Sequence, residues 1–164
     1  MIHLFGADGT QEYEAALDLR QRILESWPEI ENHPLNRITI MAGVQCHGQK
    51  VRDIDLILLG HFEDGIAFEP LFPFQHGADQ EHPAVVTLDS LCAVIEVKGH
   101  SGSGIRFIGK TVEVTYGRHW HDATHQNEQQ KYSFLNYLKA HHIRPPRITS
   151  LIWLRNIPNT SLPP

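Results

Sequence analysis

The sequence has few cysteines, no excess of basic residues and no long hydrophobic run. Its 164 residues include two cysteines, Cys46 and Cys92, too few for a disulfide framework or a cysteine-rich zinc site. Both lie in apolar, strand-like runs, so we expect buried thiols. No apolar run approaches the roughly 18 residues that a transmembrane helix needs, and residues 1–6 lack the features of a signal peptide. We therefore expect a cytoplasmic protein.

Acidic residues outnumber basic ones, 19 Asp and Glu against 14 Lys and Arg, which gives a net charge of −5 at pH 7. A protein with this balance has no overall basic footprint, so it must meet a nucleic acid through a local basic patch or a metal ion. The second half contains basic residues that fit such a patch, or equally ordinary surface charge: Arg106, Lys110, Arg118, Lys131, Arg144 and Arg147.

The stretch Leu91–Gly99, Leu-Cys-Ala-Val-Ile-Glu-Val-Lys-Gly, combines a core strand with two charges at its end. Apolar, β-branched residues bounded by a glycine are typical of a buried strand. Side chains alternate along a strand, so Glu96 and Lys98 fall on the same face. Because an isolated buried charge is costly, we expect the two to pair or to lie at a solvated edge. A carboxylate beside an ammonium is also what a metal-assisted hydrolase uses.

Hydrophobic periodicity, caps and turn residues predict the other elements. We expect one helix from about Gln11 to Ser26, capped by Thr10, and another from Asp122 or Thr124 to about His141. Strand-like runs rich in β-branched residues lie at 36–44, 51–60, 91–98, 105–108, 111–116 and 147–154. This order predicts an α/β protein in which helices flank a central mixed β-sheet.

The chain has the length of one domain, which we place at residues 1–155. Residues 156–164 are rich in turn formers and are predicted to be a tail or the start of a linker. Residues 61–90, between two core strands, contain prolines and no strong periodicity. We expect an insertion here, long enough to form a lid or a binding wall.

Three motifs occur in the order found in the PD-(D/E)XK nuclease superfamily. They are Asp53-Ile-Asp55-Leu-Ile-Leu, then Val94-Ile-Glu96-Val-Lys98-Gly, then the glutamine-rich helix start at Gln126. Over about residues 10–140 the chain resembles this superfamily and, more narrowly, the nuclease-related domain (NERD) family. The resemblance implies a restriction-endonuclease-like core. Asp55 and Glu96 are 41 positions apart (96 − 55), a longer gap than we expect for that family, and the predicted insertion accounts for it.

The resemblance implies a divalent-metal-dependent nuclease that hydrolyses phosphodiester bonds of DNA, or of RNA, in DNA processing or repair. Asp55 and Glu96 would hold Mg²⁺ or Mn²⁺ together with the Val97 carbonyl, since these cations prefer hard oxygen ligands. Lys98 would orient or help deprotonate the attacking water and would stabilise the developing negative charge. The metal would act as a Lewis acid and lower the pKa of water.

Two positions of the implied site stay open. The glutamate of the first helix is Glu12 or Glu14, and we favour Glu12 because apolar residues follow it at helical spacing. It would contact the metal through a water molecule. The glutamine is Gln126, Gln129 or Gln130; Gln126 and Gln130 lie four positions apart and share a helix face. We favour Gln126, which would position the lysine or a phosphate.

Two other functions fit parts of the sequence. The run His121-Asp-Ala-Thr-His125 has the two-histidine spacing of a zincin helix, but it lacks the general-base glutamate and an evident third ligand. A non-catalytic module that binds DNA or a partner, accessory to a fused or separate helicase, is the stronger alternative. The joint presence of Asp55, Glu96 and Lys98 favours the enzyme, because a degenerate site usually loses one of the three.

Overall fold

The structure is a computed structural model, and it describes residues 1–68 and 86–157. Within these residues the chain forms eight strands and two α-helices. Their bounds are β1 Ile2–Phe5, α1 Gln11–Ser26, β2 Arg37–Gln45, β3 Asp53–Phe68, β4 Val86–Lys98, β5 Ile105–Ile108, β6 Thr111–Tyr116, β7 His119–Asp122, α2 Ala123–Ala140 and β8 Thr149–Leu154.

Five strands form one mixed sheet in the order β1-β2-β3-β4-β8. The β1–β2 and β4–β8 pairs are parallel, whereas β2–β3 and β3–β4 are antiparallel. Side chains alternate between the two faces of a strand, so one face of β4 packs in a cluster with α1 and the other in a cluster with α2. The predicted α/β class, with helices flanking a mixed central sheet, is confirmed.

Helix α1 begins at the predicted cap, because Thr10 Oγ1 accepts a hydrogen bond from the Tyr13 amide at 3.1 Å. Its buried alanines, Ala15 and Ala16, allow the helix to pack closely on the sheet. Apolar residues of β2, β3 and β4 lie against them, including Ile40 and Leu56. The first turn of α1 therefore sits beside the ends of β3 and β4.

Helix α2 is capped by Asp122, whose Oδ1 accepts from the His125 amide at 2.8 Å. Phe134 and Leu138 pack against the opposite face of the sheet. Nearer its start, however, the helix buries polar side chains, namely Asn127, Gln130 and Ser133. The part of α2 next to the charged end of β4 is thus built for polar contacts rather than for apolar packing.

A second, three-stranded antiparallel sheet, β5-β6-β7, connects β4 to α2. The β5–β6 hairpin turns at Gly109-Lys110 as predicted, and Gly109 has φ 57°, a left-handed conformation that glycine adopts easily. Thr124 Oγ1 accepts from the Val112 amide at 2.8 Å and ties the sheet to the start of α2. The sheet places the last residue of β6, Tyr116, next to the end of β4.

The predicted insertion lies partly outside the described residues. Residues 61–68 and 86–90 continue β3 and β4 as a paired ribbon, with a register shift between His61 and Ile66. Residues 69–85 of the insertion and residues 158–164 of the predicted tail are not among those described. Cys46 and Cys92 are free and buried, as expected. In the two described ranges, no helix is both long and apolar enough to cross a membrane.

Candidate active site

Asp55 lies where the central sheet interrupts its regular pairing. On either side of it, Ile54 and Leu56 pair with β2, but within the described register Asp55 pairs with neither β2 nor β4. On the neighbouring strand β2, opposite Asp55, Gly43 adopts φ 61°, a conformation that a residue with a side chain rarely adopts. Ile54 and Leu56 pack on opposite faces of the sheet, although residues two apart normally share a face. The interruption frees Asp55 from the ladder.

The Asp55 carboxylate turns toward the end of β4. Its Oδ2 accepts a hydrogen bond from the Val97 amide at 2.8 Å, and its Oδ1 has no hydrogen-bond partner among the described residues. Burial and the neighbouring charges of Glu96 and Glu12 raise the pKa of Asp55 to about 6, against the lowering effects of the Val97 N–H and of Lys98. Burial and two neighbouring carboxylates therefore disfavour the ionised form of Asp55, and one of its oxygens is available for a ligand.

Glu96 and Lys98 form the predicted pair on one face of β4. Lys98 Nζ lies 2.5 Å from Glu96 Oε1, and the two side chains are only 4% and 2% exposed. Burial alone lowers the pKa of Lys98, but the hydrogen bonds and charges of Glu96 and Tyr116 outweigh it and raise this pKa above its ordinary value. Lys98 is therefore an ammonium at neutral pH.

Two glutamines of α2 form hydrogen bonds with this pair. Gln126 Oε1 accepts from Lys98 Nζ at 3.4 Å. Gln130 is buried, and its Nε2 donates to Glu96 Oε2 at 2.5 Å and to the Asp53 carbonyl at 3.2 Å. Gln129 lies elsewhere, with its Nε2 2.8 Å from a ring nitrogen of His125 on the helix surface. The structure thus brings the favoured Gln126 to the lysine and adds Gln130 at the glutamate.

A cavity of about 550 Å³ opens beside Asp55, on the side of α1. Three carboxylates face it, and its lining consists of Gly9, Thr10, Gln11, Glu12, Glu14, Asp55, Val97, Gly99 and Arg155. Both candidate glutamates of α1 line this cavity, but only the charge of Glu12 contributes to the raised pKa of Asp55. The favoured glutamate is therefore brought to the predicted site.

Two further residues at the site were not predicted. The Tyr116 hydroxyl accepts from Lys98 Nζ at 3.1 Å, and its ring makes edge contacts with His100 and His121, at centroid distances of 4.9 and 5.1 Å. Arg155, directly after β8, lines the cavity. Gln130 is one of the three glutamines that the sequence left open, on the same helical face as Phe134 at a spacing of four. Tyr116 and Arg155 depend on the tertiary fold.

The donor set fits a hard divalent cation, although it is small. Asp55 and Val97 share the cavity, and Glu96 lies close enough to raise the pKa of Asp55. Both Glu96 oxygens accept hydrogen bonds, but a carboxylate oxygen has a second acceptor site. Across residues 1–68 and 86–157, no three His, Cys, Asp or Glu side chains group closely enough to hold a metal ion by themselves. A cation here would need backbone and water oxygens as well.

Comparisons of the chain with protein-family models, with curated proteins and with solved structures found no match.

Proposed function

We propose that this protein is a divalent-metal-dependent nuclease that hydrolyses phosphodiester bonds of DNA or RNA. Its site would be of PD-(D/E)XK type on a restriction-endonuclease-like core, as in the nuclease-related domain family. One observation carries the proposal: Asp55, Glu96 and Lys98 meet at the adjoining ends of β3 and β4. This grouping joins residues more than forty positions apart in the chain, and adds Glu12 on one side and Gln126 on the other.

A bound Mg²⁺ or Mn²⁺ would supply Lewis-acid polarisation of the phosphodiester and lower the pKa of water. Asp55, Glu96 and the Val97 carbonyl would hold it. The raised pKa of Asp55 supports this role, because the mutual repulsion of these carboxylates is what a cation would relieve. Glu12 would act from the far side of the cavity, on water rather than on the metal itself.

Lys98 would stabilise the negative charge that develops on the phosphate. Its raised pKa keeps the amine protonated, so it serves as a hydrogen-bond donor and a charge rather than as the base that removes a proton. Gln126 and Tyr116 accept hydrogen bonds from the ammonium and fix its direction. Gln130 donates a hydrogen bond to the Glu96 carboxylate and fixes its direction in turn. These three act as positioning residues, because they touch the reacting groups only through Lys98 and Glu96.

A non-catalytic module that binds nucleic acid, or a partner such as a helicase, is the second candidate. One observation favours it: Glu96 and Lys98 are nearly buried and bonded to each other, so neither is presented to solvent. In this alternative the pair is a structural element of the core. The two candidates differ in metal binding, which the enzyme requires and the module does not.

Cleavage of supercoiled plasmid and of labelled single-stranded DNA, with Mg²⁺, Mn²⁺ or EDTA, tests the proposal. Lys98→Ala is a poor test of catalysis, because it leaves the buried charge of Glu96 without a partner. The loss of about 3–5 kcal/mol of stability that follows could unfold the protein. Asp55→Asn retains an acceptor for the Val97 amide and is the sharper variant. We expect cleavage that EDTA abolishes and that Asp55→Asn lowers at least about 100-fold.

The matched control is Asp89→Asn, which changes an exposed aspartate seven residues before Glu96 on β4, about 20 Å away at about 3.3 Å per residue. This control should cleave at the wild-type rate. Wild-type protein that neither cleaves DNA nor binds Mn²⁺ in calorimetry would contradict the enzyme and leave the binding module.

A further inference from the structure

Arg155 is a basic residue at the edge of an otherwise acidic cavity. Its backbone amide donates to the Lys98 carbonyl at 3.0 Å, so the residue is fixed beside the end of β4. Arg155 lines the cavity together with Asp55 and Glu12. Among the described residues that line this cavity, Arg155 is the only basic one.

One carboxylate oxygen holds the guanidinium and leaves part of it open. Asp18 Oδ2 accepts from Arg155 Nε at 2.5 Å and pairs with Nη2. Nη1 has no acceptor within the described part of the chain, and the arginine side chain remains 29% exposed. A guanidinium has five N–H donors in a planar fork that matches a phosphate. Asp18 therefore orients Arg155 and leaves donors that can bind an anion.

The Arg155–Asp18 ion pair contributes little to the stability of the fold. An exposed Arg–carboxylate pair contributes about 0–1 kcal/mol, and Arg20 of α1 forms a comparable pair with Glu31, after the helix, at 2.9 Å. The Arg20 pair does not line the cavity, whereas Arg155 does. A polyanionic strand entering a cavity with three carboxylates, on a protein of net charge −5, also needs a local cation besides the metal.

We propose that Arg155 is a phosphate-binding subsite, which holds a phosphate of the nucleic-acid strand other than the one cleaved. The inference rests on the proposed function, since it takes the strand to lie across this cavity. Arg155 would contribute affinity and register along the strand rather than sequence preference, because phosphate contacts carry no base information.

The test is the salt dependence of DNA binding, measured by fluorescence anisotropy with a labelled single-stranded oligonucleotide. Ca²⁺ replaces Mg²⁺ because it takes similar oxygen ligands with looser geometry. Each phosphate contact on a single strand adds about −0.7 to the slope of log K against log[NaCl]. We expect Arg155→Ala to make the slope about 0.7 shallower and Arg155→Lys to recover part of the difference.

Two controls separate direct binding from a structural effect. Arg20→Ala removes an arginine from a similar ion pair on α1, the helix that carries Asp18, and its slope should equal that of the wild type. Asp18→Asn removes the charge of the pair but keeps a side-chain oxygen that can accept from Arg155 Nε and hold the guanidinium, so its slope should also stay near the wild-type value. The subsite is refuted if Arg155→Ala matches Arg20→Ala, or if Asp18→Asn loses as much as Arg155→Ala.

The outcomes also distinguish this subsite from the nuclease itself. Asp55-dependent cleavage with an unchanged slope in Arg155→Ala refutes the subsite alone. A slope that depends on Arg155, without any metal-dependent cleavage, refutes the nuclease and supports the subsite. Wild-type protein that does not bind the oligonucleotide refutes both.

Discussion

Replacing Asp55 by Asn is predicted to stabilise the protein at alkaline pH, although it removes a residue of the proposed site. In the wild type, burial and the charges of Glu96 and Glu12 oppose ionisation of Asp55 and raise its pKa to about 6. Asparagine has no charge to desolvate, and it retains an oxygen that can accept from the Val97 amide. The gain in the free energy of unfolding of Asp55→Asn therefore measures what the ionised Asp55 carboxylate costs the folded wild type.

The magnitude and sign follow from proton linkage. Between the ordinary carboxyl pKa of 3.8 and the folded value of about 6, the folded protein binds more protons than the unfolded chain, so the free energy of unfolding falls as the pH rises. The loss is complete above about pH 6 and absent below about pH 4. At about 1.4 kcal/mol per pH unit it amounts to about 3 kcal/mol, and partial solvent exposure reduces our expectation to about 2 kcal/mol.

Urea unfolding in EDTA, at about pH 4 and about pH 8, checks this prediction. Asp55→Asn should be about 2 kcal/mol more stable than the wild type at the higher pH and nearly equal to it at the lower. Asp89→Asn, at an exposed position, should match the wild type at both. A stability difference for Asp55→Asn that is the same at both pH values would refute the reasoning, because it would not arise from a shifted pKa.

The remaining predictions concern the metal and the positioning residues. Mn²⁺ affinity, measured by calorimetry, should fall about tenfold per pH unit below pH 6, because Asp55 must lose its proton to bind the metal; affinity that is flat from about pH 5 to 7 would contradict this. Gln130→Leu should lower the free energy of unfolding in urea by about 2–3 kcal/mol, since it leaves a buried carboxylate oxygen without its donor. Gln126→Leu should cost less than about 1 kcal/mol, because its bond to Lys98 is long, and should mainly lower kcat; equal stability losses at the two glutamines would count against these roles. Tyr116→Phe should cost about 1 kcal/mol and lower kcat with little change in KM, because it frees Lys98 while leaving the ring contacts in place; unchanged steady-state kinetics would remove Tyr116 from the site.

Local signals predicted much of the fold. The caps at Thr10 and Asp122 act over three residues, so the starts of both helices could be read from neighbouring positions. Strand alternation likewise placed Glu96 and Lys98 on one face, where they pair. No strand was assigned to residues 2–5, because four residues carry too little periodicity. Nor was one assigned to residues 119–122, whose side chains are all exposed.

The parts of the site that the sequence did not predict depend on long-range contacts. Asp18 and Arg155 are 137 positions apart and meet only because β8 lies parallel to β4 while α1 packs across them. Tyr116 reaches Lys98 through the small sheet, whose orientation no local pattern specifies. The release of Asp55 from the ladder coincides with the left-handed conformation of Gly43 on the neighbouring strand β2. Each of these contacts is a property of the assembled sheet rather than of a segment.

The most direct test of the central claim measures stability and cleavage on the same preparation of Asp55→Asn. In EDTA at about pH 8 the account predicts a variant that is folded and at least as stable as the wild type, yet with Mn²⁺ at the same pH it cleaves DNA at least about 100-fold more slowly. Such a result cannot come from unfolding and assigns the loss to the Asp55 carboxylate. A stable Asp55→Asn protein that cleaves DNA at the wild-type rate would contradict the claim that the metal and the chemistry lie at this site.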